Sequence, residues 1–152
     1  LIQSKPNLSA LVMGILFSLL LSACGNNEPT KQESKPEDAA IAFFDALYNQ
    51  NDLNKAVKYA TPQTTRIMLH YKTAKAVQRH FINMKFDTVD ISVDTTGQGE
   101  LLVSASATKA KVTLYFDGSY DGRTIRDLKT IELEKQLNEW KVKKIKADPY
   151  RR

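Results

Sequence analysis

His70 and His80 are the two histidines of this chain, and Cys24 is its single cysteine. An imidazole with an ordinary pKa of about 6.5 can take or give a proton near neutrality. His70, followed by Tyr71, falls on the apolar stripe of a predicted helix. A carboxylate beside it, from Asp45 or Asp87, would orient the ring for general acid–base work. The plainer role for the same residue is an imidazole at the edge of the core, bonded to backbone. His70 and His80 would lie about 15 Å apart along one helix axis and on different sides of it, so they cannot hold one metal ion together without other elements helping. No His, Cys and carboxylate set stands at ligand spacing, and neither a metal site nor a cofactor is expected. A glycine-rich phosphate loop and a nucleophile motif are both absent from the sequence.

Cys24 offers a different chemistry. A lone thiol cannot close a disulfide within the chain. It ends the run Leu21-Ser22-Ala23-Cys24, directly after the uncharged apolar stretch 8–21, with Lys5 upstream. That stretch is shorter than the roughly 20 apolar residues of a membrane-spanning helix and suits the apolar region of a secretory signal. Cleavage after Ala23 would place Leu21 where ordinary signal peptidase needs a small residue. The run resembles a bacterial lipobox, with Leu21, Ser22 and Ala23 leading to the acceptor Cys24. The resemblance implies removal of residues 1–23, a diacylglyceryl group on Sγ of Cys24 and an acylated new N-terminus. Such chains anchor firmly, because each buried methylene contributes about 0.8 kcal/mol. Gly25 stands where Asp would retain such a lipoprotein in the inner membrane, which implies the outer membrane of a bacterial envelope, facing the periplasm.

Residues 24–35 hold no apolar side chain to bury after Cys24 and read as a flexible tether reaching roughly 20 Å. The folded domain is expected over 36–148, with 149–152 as a tail. Ser34 and Glu37 form a predicted capping box. Ala40, Phe43, Phe44, Leu47 and Tyr48 follow at helical spacing. Asp52 caps a short second helix carrying Leu53, Ala56, Val57 and Ala60. Thr61-Pro62 opens a third and longest helix with Ile67, His70, Tyr71, Ala74, Val77, Gln78 and Phe81 on its buried face.

After Asn83 the apolar period changes to two. Val89, Ile91 and Val93 mark a first strand, and Gly97-Gln98-Gly99 a turn. A long second strand holds Leu101, Val103, Ala105 and Ala107 in one register and Val112, Leu114 and Phe116 in the other, which predicts a bulge near Thr108 to Lys111. Asp117-Gly118 and Asp121-Gly122 mark the next turn. A third strand carries Ile125, Leu128, Ile131 and Leu133. Asn138 turns into a last strand with Trp140, Val142 and Ile145. Helices followed by antiparallel strands define an α+β domain, with three N-terminal helices packed on a four-stranded antiparallel sheet.

That element order, with Pro36 to Tyr48, Ala110 to Gly118 and Glu139 to Ile145 as its marks, resembles the nuclear transport factor 2-like (cystatin-like) superfamily. In particular it resembles small envelope lipoproteins of unknown function within it. The resemblance implies a curved sheet wrapped into a cone around the helices, with a pocket at the open end. Members include isomerases, dehydratases and hydrolases as well as binding modules, so the fold does not choose between them. Phe43, Phe44, Tyr48, Tyr59, Tyr71, Phe86, Phe116 and Trp140 either line an apolar pocket or fill the core.

The formal charge is +5, with 22 Lys and Arg against 17 Asp and Glu. Outside the cytoplasm this excess does not point to nucleic acid as a partner. Lys141, Lys143, Lys144, Lys146, Arg151 and Arg152 gather basic charge at the C-terminal end, where it either contacts anionic head groups and cell wall or simply solvates a strand. Two function classes follow. One is a non-enzymatic lipoprotein, membrane-bound through Cys24, that binds an envelope protein or a small apolar ligand and can pair as a homodimer through its sheet. The other is an enzyme of lyase, isomerase or hydrolase type using the cone pocket, with His70 and a carboxylate as its acid–base pair.

Overall fold

Pro36 decides where the first helix begins. The residue before a proline is pushed to extended backbone. Lys35 accordingly takes φ −78 and ψ 147 as the cap, with Pro36 in the first turn of α1, Pro36–Tyr48. The described cap is thus Lys35, which makes no side-chain capping bond; the expected cap, Ser34, lies outside the described residues. Glu37 and Asp38 still place negative charge at the positive end of the helix. The computed structural model describes residues 35–96 and 106–146, all within one contact unit, Glu33–Arg152. The lipobox residues, the tether up to Ser34, the turn at Gly97-Gln98-Gly99, the strand positions Leu101, Val103 and Ala105, and the tail lie outside the described residues.

The next two helices start where side-chain chemistry dictates. The Asp52 carboxylate accepts from the Lys55 N–H at 2.9 Å and caps α2, Leu53–Ala56, which tightens into a 3₁₀ turn over Val57–Tyr59. Thr61 Oγ1 accepts from the Thr64 N–H at 3.3 Å, with Pro62 opening α3, Pro62–His70. The expected continuation of this helix to Phe81 fails at Lys72, whose φ is +66. Thr73 then caps a fresh start, accepting from the Ala76 N–H at 3.1 Å. Helix α4, Ala74–Val77, widens into a π-helical turn over Gln78–Ile82 and ends on Asn83 with φ +56.

This break resets the helical phase. Thr64 and Met68 turn inward in α3, whereas Ile67 and Leu69 are exposed. Ala74, Val77, Gln78 and Ile82 are buried after the restart. His70, expected on the buried face, is exposed, and Tyr71 and Phe81 are half-buried.

Strands β1 (Thr88–Val93), β2 (Lys109–Tyr120), β3 (Arg123–Gln136) and β4 (Glu139–Lys146) form one sheet in the order β1-β2-β3-β4, each neighbour antiparallel. Asp121 and Gly122 make the β2–β3 turn and Leu137 and Asn138 the β3–β4 turn, all four with positive φ. Asp117-Gly118, expected in a turn, instead lies inside β2. The change of parity expected near Thr108 to Lys111 involves strand positions outside the described residues, and a register irregularity is seen in another part of the sheet. It lies at Glu132/Leu133 opposite β4, where Lys143 is skipped between the paired Val142 and Lys144.

The helices cover one face of this sheet. Val89, Val112, Leu114, Phe116, Ile131, Leu133, Trp140 and Val142 are buried with Phe43, Phe44, Leu47 and Tyr48 of α1. Phe44 meets Phe43 and Phe116 edge-on, both at 5.0 Å between centroids, and Phe86 stacks on Phe116 at 6.2 Å. The Tyr48 hydroxyl donates to the Met84 carbonyl at 2.8 Å, and the buried Gln78 amide donates to the Leu47 carbonyl at 2.5 Å. Edge strand β4 is covered in part by the chain between α2 and α3. Ala60 bridges Val142 in parallel, and the Thr61 N–H donates to the Val142 carbonyl at 3.0 Å.

Gly118 is required by close approach. A Cβ there would stand 2.3 Å from the Thr88 carbonyl oxygen and 2.7 Å from Cδ1 of Phe86. Gly118→Ala is therefore expected to cost about 2–3 kcal/mol, as other overpacked sites do. Urea denaturation followed by circular dichroism measures it. A loss under about 0.5 kcal/mol would mean that β1 shifts freely at this point.

The other face carries ion pairs on its β3–β4 side. Glu132 meets Lys146 at 2.6 Å and Glu134 meets Lys143 at 2.7 Å. Each hydrogen bond to its lysine holds the glutamate below the usual carboxylate range. A carboxyl whose folded pKa is depressed stabilises above its unfolded pKa, and that stabilisation is lost as pH falls through the folded value. The melting temperature is thus expected to decline below about pH 4.5, where glutamate ordinarily titrates. The decline should be shallower at about 1 M salt, which screens exposed pairs. A melting series from neutral to acidic pH at both salt levels checks it.

Candidate functional site

The inner face of β3 holds two buried charges, Asp127 and Lys129. Phe116 pairs with Asp127 and Leu114 with Lys129, and both β2 partners are fully buried. Asp127 and Lys129 therefore point toward the helices, two residues apart on one strand face. Their side chains are 4% and 5% exposed, with Nζ of Lys129 3.6 Å from Oδ2 of Asp127. Oδ1 of Asp127 accepts from the Leu128 N–H at 2.8 Å. Tyr48 completes the group. Burial pushes its phenol well above the usual tyrosine range, and the charge of Asp127 adds to that rise.

The residues singled out in the sequence lie elsewhere. His70 stands on the surface with its ring edge-on to Tyr71 at 5.6 Å, and His80 stacks on Tyr71 at 5.9 Å. Asp45 accepts from the side chains of Asn49 and Gln50, and Asp87 from the Asp121 N–H. Neither carboxylate is engaged with His70. Phe43, Phe44 and Phe116 are fully buried in the core, with Tyr48 and Trp140 close behind. Among the described residues, no three His, Cys, Asp or Glu side chains come together to hold a metal ion.

A second feature lies on the opposite face. A shallow open groove of about 610 Å³ runs over the end of β1, β2 and β3. Asn49, Thr88, Asp90, Asp117, Ser119, Thr124 and Arg126 are among the residues that line it. Nε of Arg126 donates to Oδ2 of Asp117 at 3.1 Å, and the hydroxyls of Thr88 and Ser119 lie 3.1 Å apart.

No family model, curated protein or solved structure matches this chain.

The two features differ in chemistry. Asp127 and Lys129 form a buried ion pair, and the Tyr48 phenol, whose hydroxyl donates to the Met84 carbonyl, feels the charge of Asp127. The groove is open, with donors and acceptors side by side, and suits reversible binding. Both involve residues that the sequence reading passed over. A signal for the buried pair was present: counting back by twos from Leu133 and Ile131 reaches Lys129, Asp127 and Ile125. Leu128 drew the register the wrong way, and it is 37% exposed on the outer face.

Proposed function

We propose that this protein is a lipid-anchored lipoprotein of the bacterial envelope, and that its α+β domain is a cystatin-like cone of the nuclear transport factor 2-like type acting as a binding module. One observation carries the anchor: the single cysteine closes Leu21-Ser22-Ala23 directly after an uncharged apolar stretch. The binding role is supported by what the two sheet faces offer. The inner face is filled by Phe43, Phe44 and Phe116, while the outer face keeps its groove open to a partner. Acyl chains on Cys24 and a tether reaching roughly 20 Å would hold that groove near the outer membrane on its periplasmic side.

Intact-mass measurement of the protein extracted from a bacterial envelope tests the anchor. The expected species starts at Cys24 and carries acyl mass, and Cys24→Ser removes both the acylation and the cleavage. An unmodified Cys24 in a chain that keeps residues 1–23 would overturn the reading.

A second reading, an enzyme of lyase, isomerase or hydrolase type, draws on the buried Asp127–Lys129 pair beside Tyr48. It moves the acid–base role away from His70, which is exposed.

A further inference from the structure

Strand register sorts the outer face at the groove into three cross-strand rows. Thr88, Ser119 and Thr124 form the first, Asp90, Asp117 and Arg126 the second, and Ser92, Tyr115 and Leu128 the third. Successive rows are about 7 Å apart, two residues of rise along a strand.

The middle row is costly as a piece of sheet. Asp90 faces Asp117 directly across an antiparallel pair, and like charges so placed are destabilising. The guanidinium of the row is bonded to Asp117, on the side away from Asp90. What the row provides is a set of planar groups, two carboxylates and a guanidinium, each able to make paired hydrogen bonds. Hydroxyls of Thr88, Ser119 and Thr124 flank it on one side, and Asn49 also lines the groove. In the other direction lies the half-buried ring of Tyr115, with Leu128 beside it.

The ligand class follows from this combination. Two carboxylates repel phosphate and sulfate, and the single guanidinium is already paired. A metal ion lacks a third anionic or imidazole ligand among the described residues. A vicinal diol matches, because each hydroxyl gives one hydrogen bond and accepts another, as mixed acceptors and donors at short spacing require. A flat aromatic ring one row away offers an apolar surface to the C–H face of a sugar ring. The groove volume of about 610 Å³ lies within the range of small-molecule sites.

We propose that this face of the sheet is a carbohydrate-binding site, in which Asp90, Asp117 and Arg126 hydrogen-bond the hydroxyls of a neutral oligosaccharide and Tyr115 stacks on an adjoining sugar ring. The site rests on the binding-module reading and names its ligand class, but it does not depend on the anchor at Cys24.

The test uses the full chain in a sugar-free detergent, with its fold checked by circular dichroism. Chitotetraose, cellotetraose and maltotetraose are titrated by calorimetry and by saturation-transfer NMR. At least one is expected to bind saturably with a dissociation constant near or below about 1 mM. Asp90→Ala and Tyr115→Ala should each weaken that binding at least about tenfold, and Tyr115→Phe should retain most of it. Absence of saturable binding of all three to the folded chain up to about 10 mM overturns the site. Binding that Asp90→Ala and Tyr115→Ala leave unchanged overturns it equally. An acylated chain that binds no saccharide leaves the anchor standing without the site. A chain that binds saccharide but carries no acyl group leaves the site standing without the anchor.

Discussion

Lys129→Ala is expected to lower the free energy of unfolding by about 3–5 kcal/mol, the cost of removing one member of a buried ion pair. Asp127 is 8% exposed and sits opposite the fully buried Phe116, so water cannot readily replace the lost ammonium. Asp127→Ala should cost a similar amount by stranding Lys129. The informative variant is the double one, Asp127→Leu with Lys129→Met, which removes both charges and keeps apolar volume. Exchanging a buried ion pair for packed hydrocarbon is often neutral or stabilising by about 1–4 kcal/mol. Urea denaturation of the two single variants and the double variant completes a cycle that isolates the coupling. A double variant at or above wild-type stability shows that the pair is held against stability. That is the ordinary outcome for a buried ion pair exchanged for packed hydrocarbon, and by itself it does not favour the enzyme reading. A double variant as unstable as the singles assigns the pair to the packing of β3. A single-variant loss below about 1 kcal/mol would mean that water reaches the pair, which the burial of both side chains argues against.

The parts of this fold legible in the sequence were those encoded by local chemistry. Asp52 and Thr61 cap the helices they were expected to cap, because a side-chain oxygen beside orphan N–H groups acts within three residues. Alternation in Val112, Leu114 and Phe116 gave the inner face of β2. Reading failed where a distant contact overrode a local signal. Gly118 looked like a turn glycine, yet its smallness serves Thr88 and Phe86 across the sheet, some 30 residues earlier in the chain. Lys72 at φ +66 had no sequence mark, since lysine is an ordinary helix former. Its break moved Ile67 and His70 outward and undid the proposed acid–base pair. The site suffered most. Buried Asp127 and Lys129 violate the rule that charge lies outside, and the groove rows exist only once three strands are in register.

Trp140→Ala is expected to cost about 3–5 kcal/mol, the range for truncating a large buried aromatic side chain. Trp140 is 4% exposed and faces inward from β4, across from Lys135 of β3, whose ammonium lies 5.8 Å from the indole centroid. Its loss would reach beyond the cavity it leaves. Strand β4 is an edge, seated by Trp140 and Val142 and pinned by contacts from one stretch of chain, among them the Lys141 ammonium donating to the Lys58 carbonyl at 2.6 Å. Three more are the Ala60 bridge to Val142, the Thr61 N–H to the Val142 carbonyl, and Thr64 Oγ1 donating to the Lys143 carbonyl at 2.8 Å. A β4 that loosens at Trp140 should therefore loosen the start of α3 as well, and hydrogen exchange at Thr61 and Thr64 should rise with it. Trp140 is the chain's only tryptophan, so its emission reports on the wild type, while circular dichroism must follow the alanine variant. Trp140→Phe keeps a ring in the site and should recover more than half of the loss. A loss under about 1 kcal/mol for Trp140→Ala would show that β4 is held by its backbone contacts alone. A loss of the expected size without faster exchange at Thr61 and Thr64 would confine the effect to the cavity and uncouple α3 from the sheet edge.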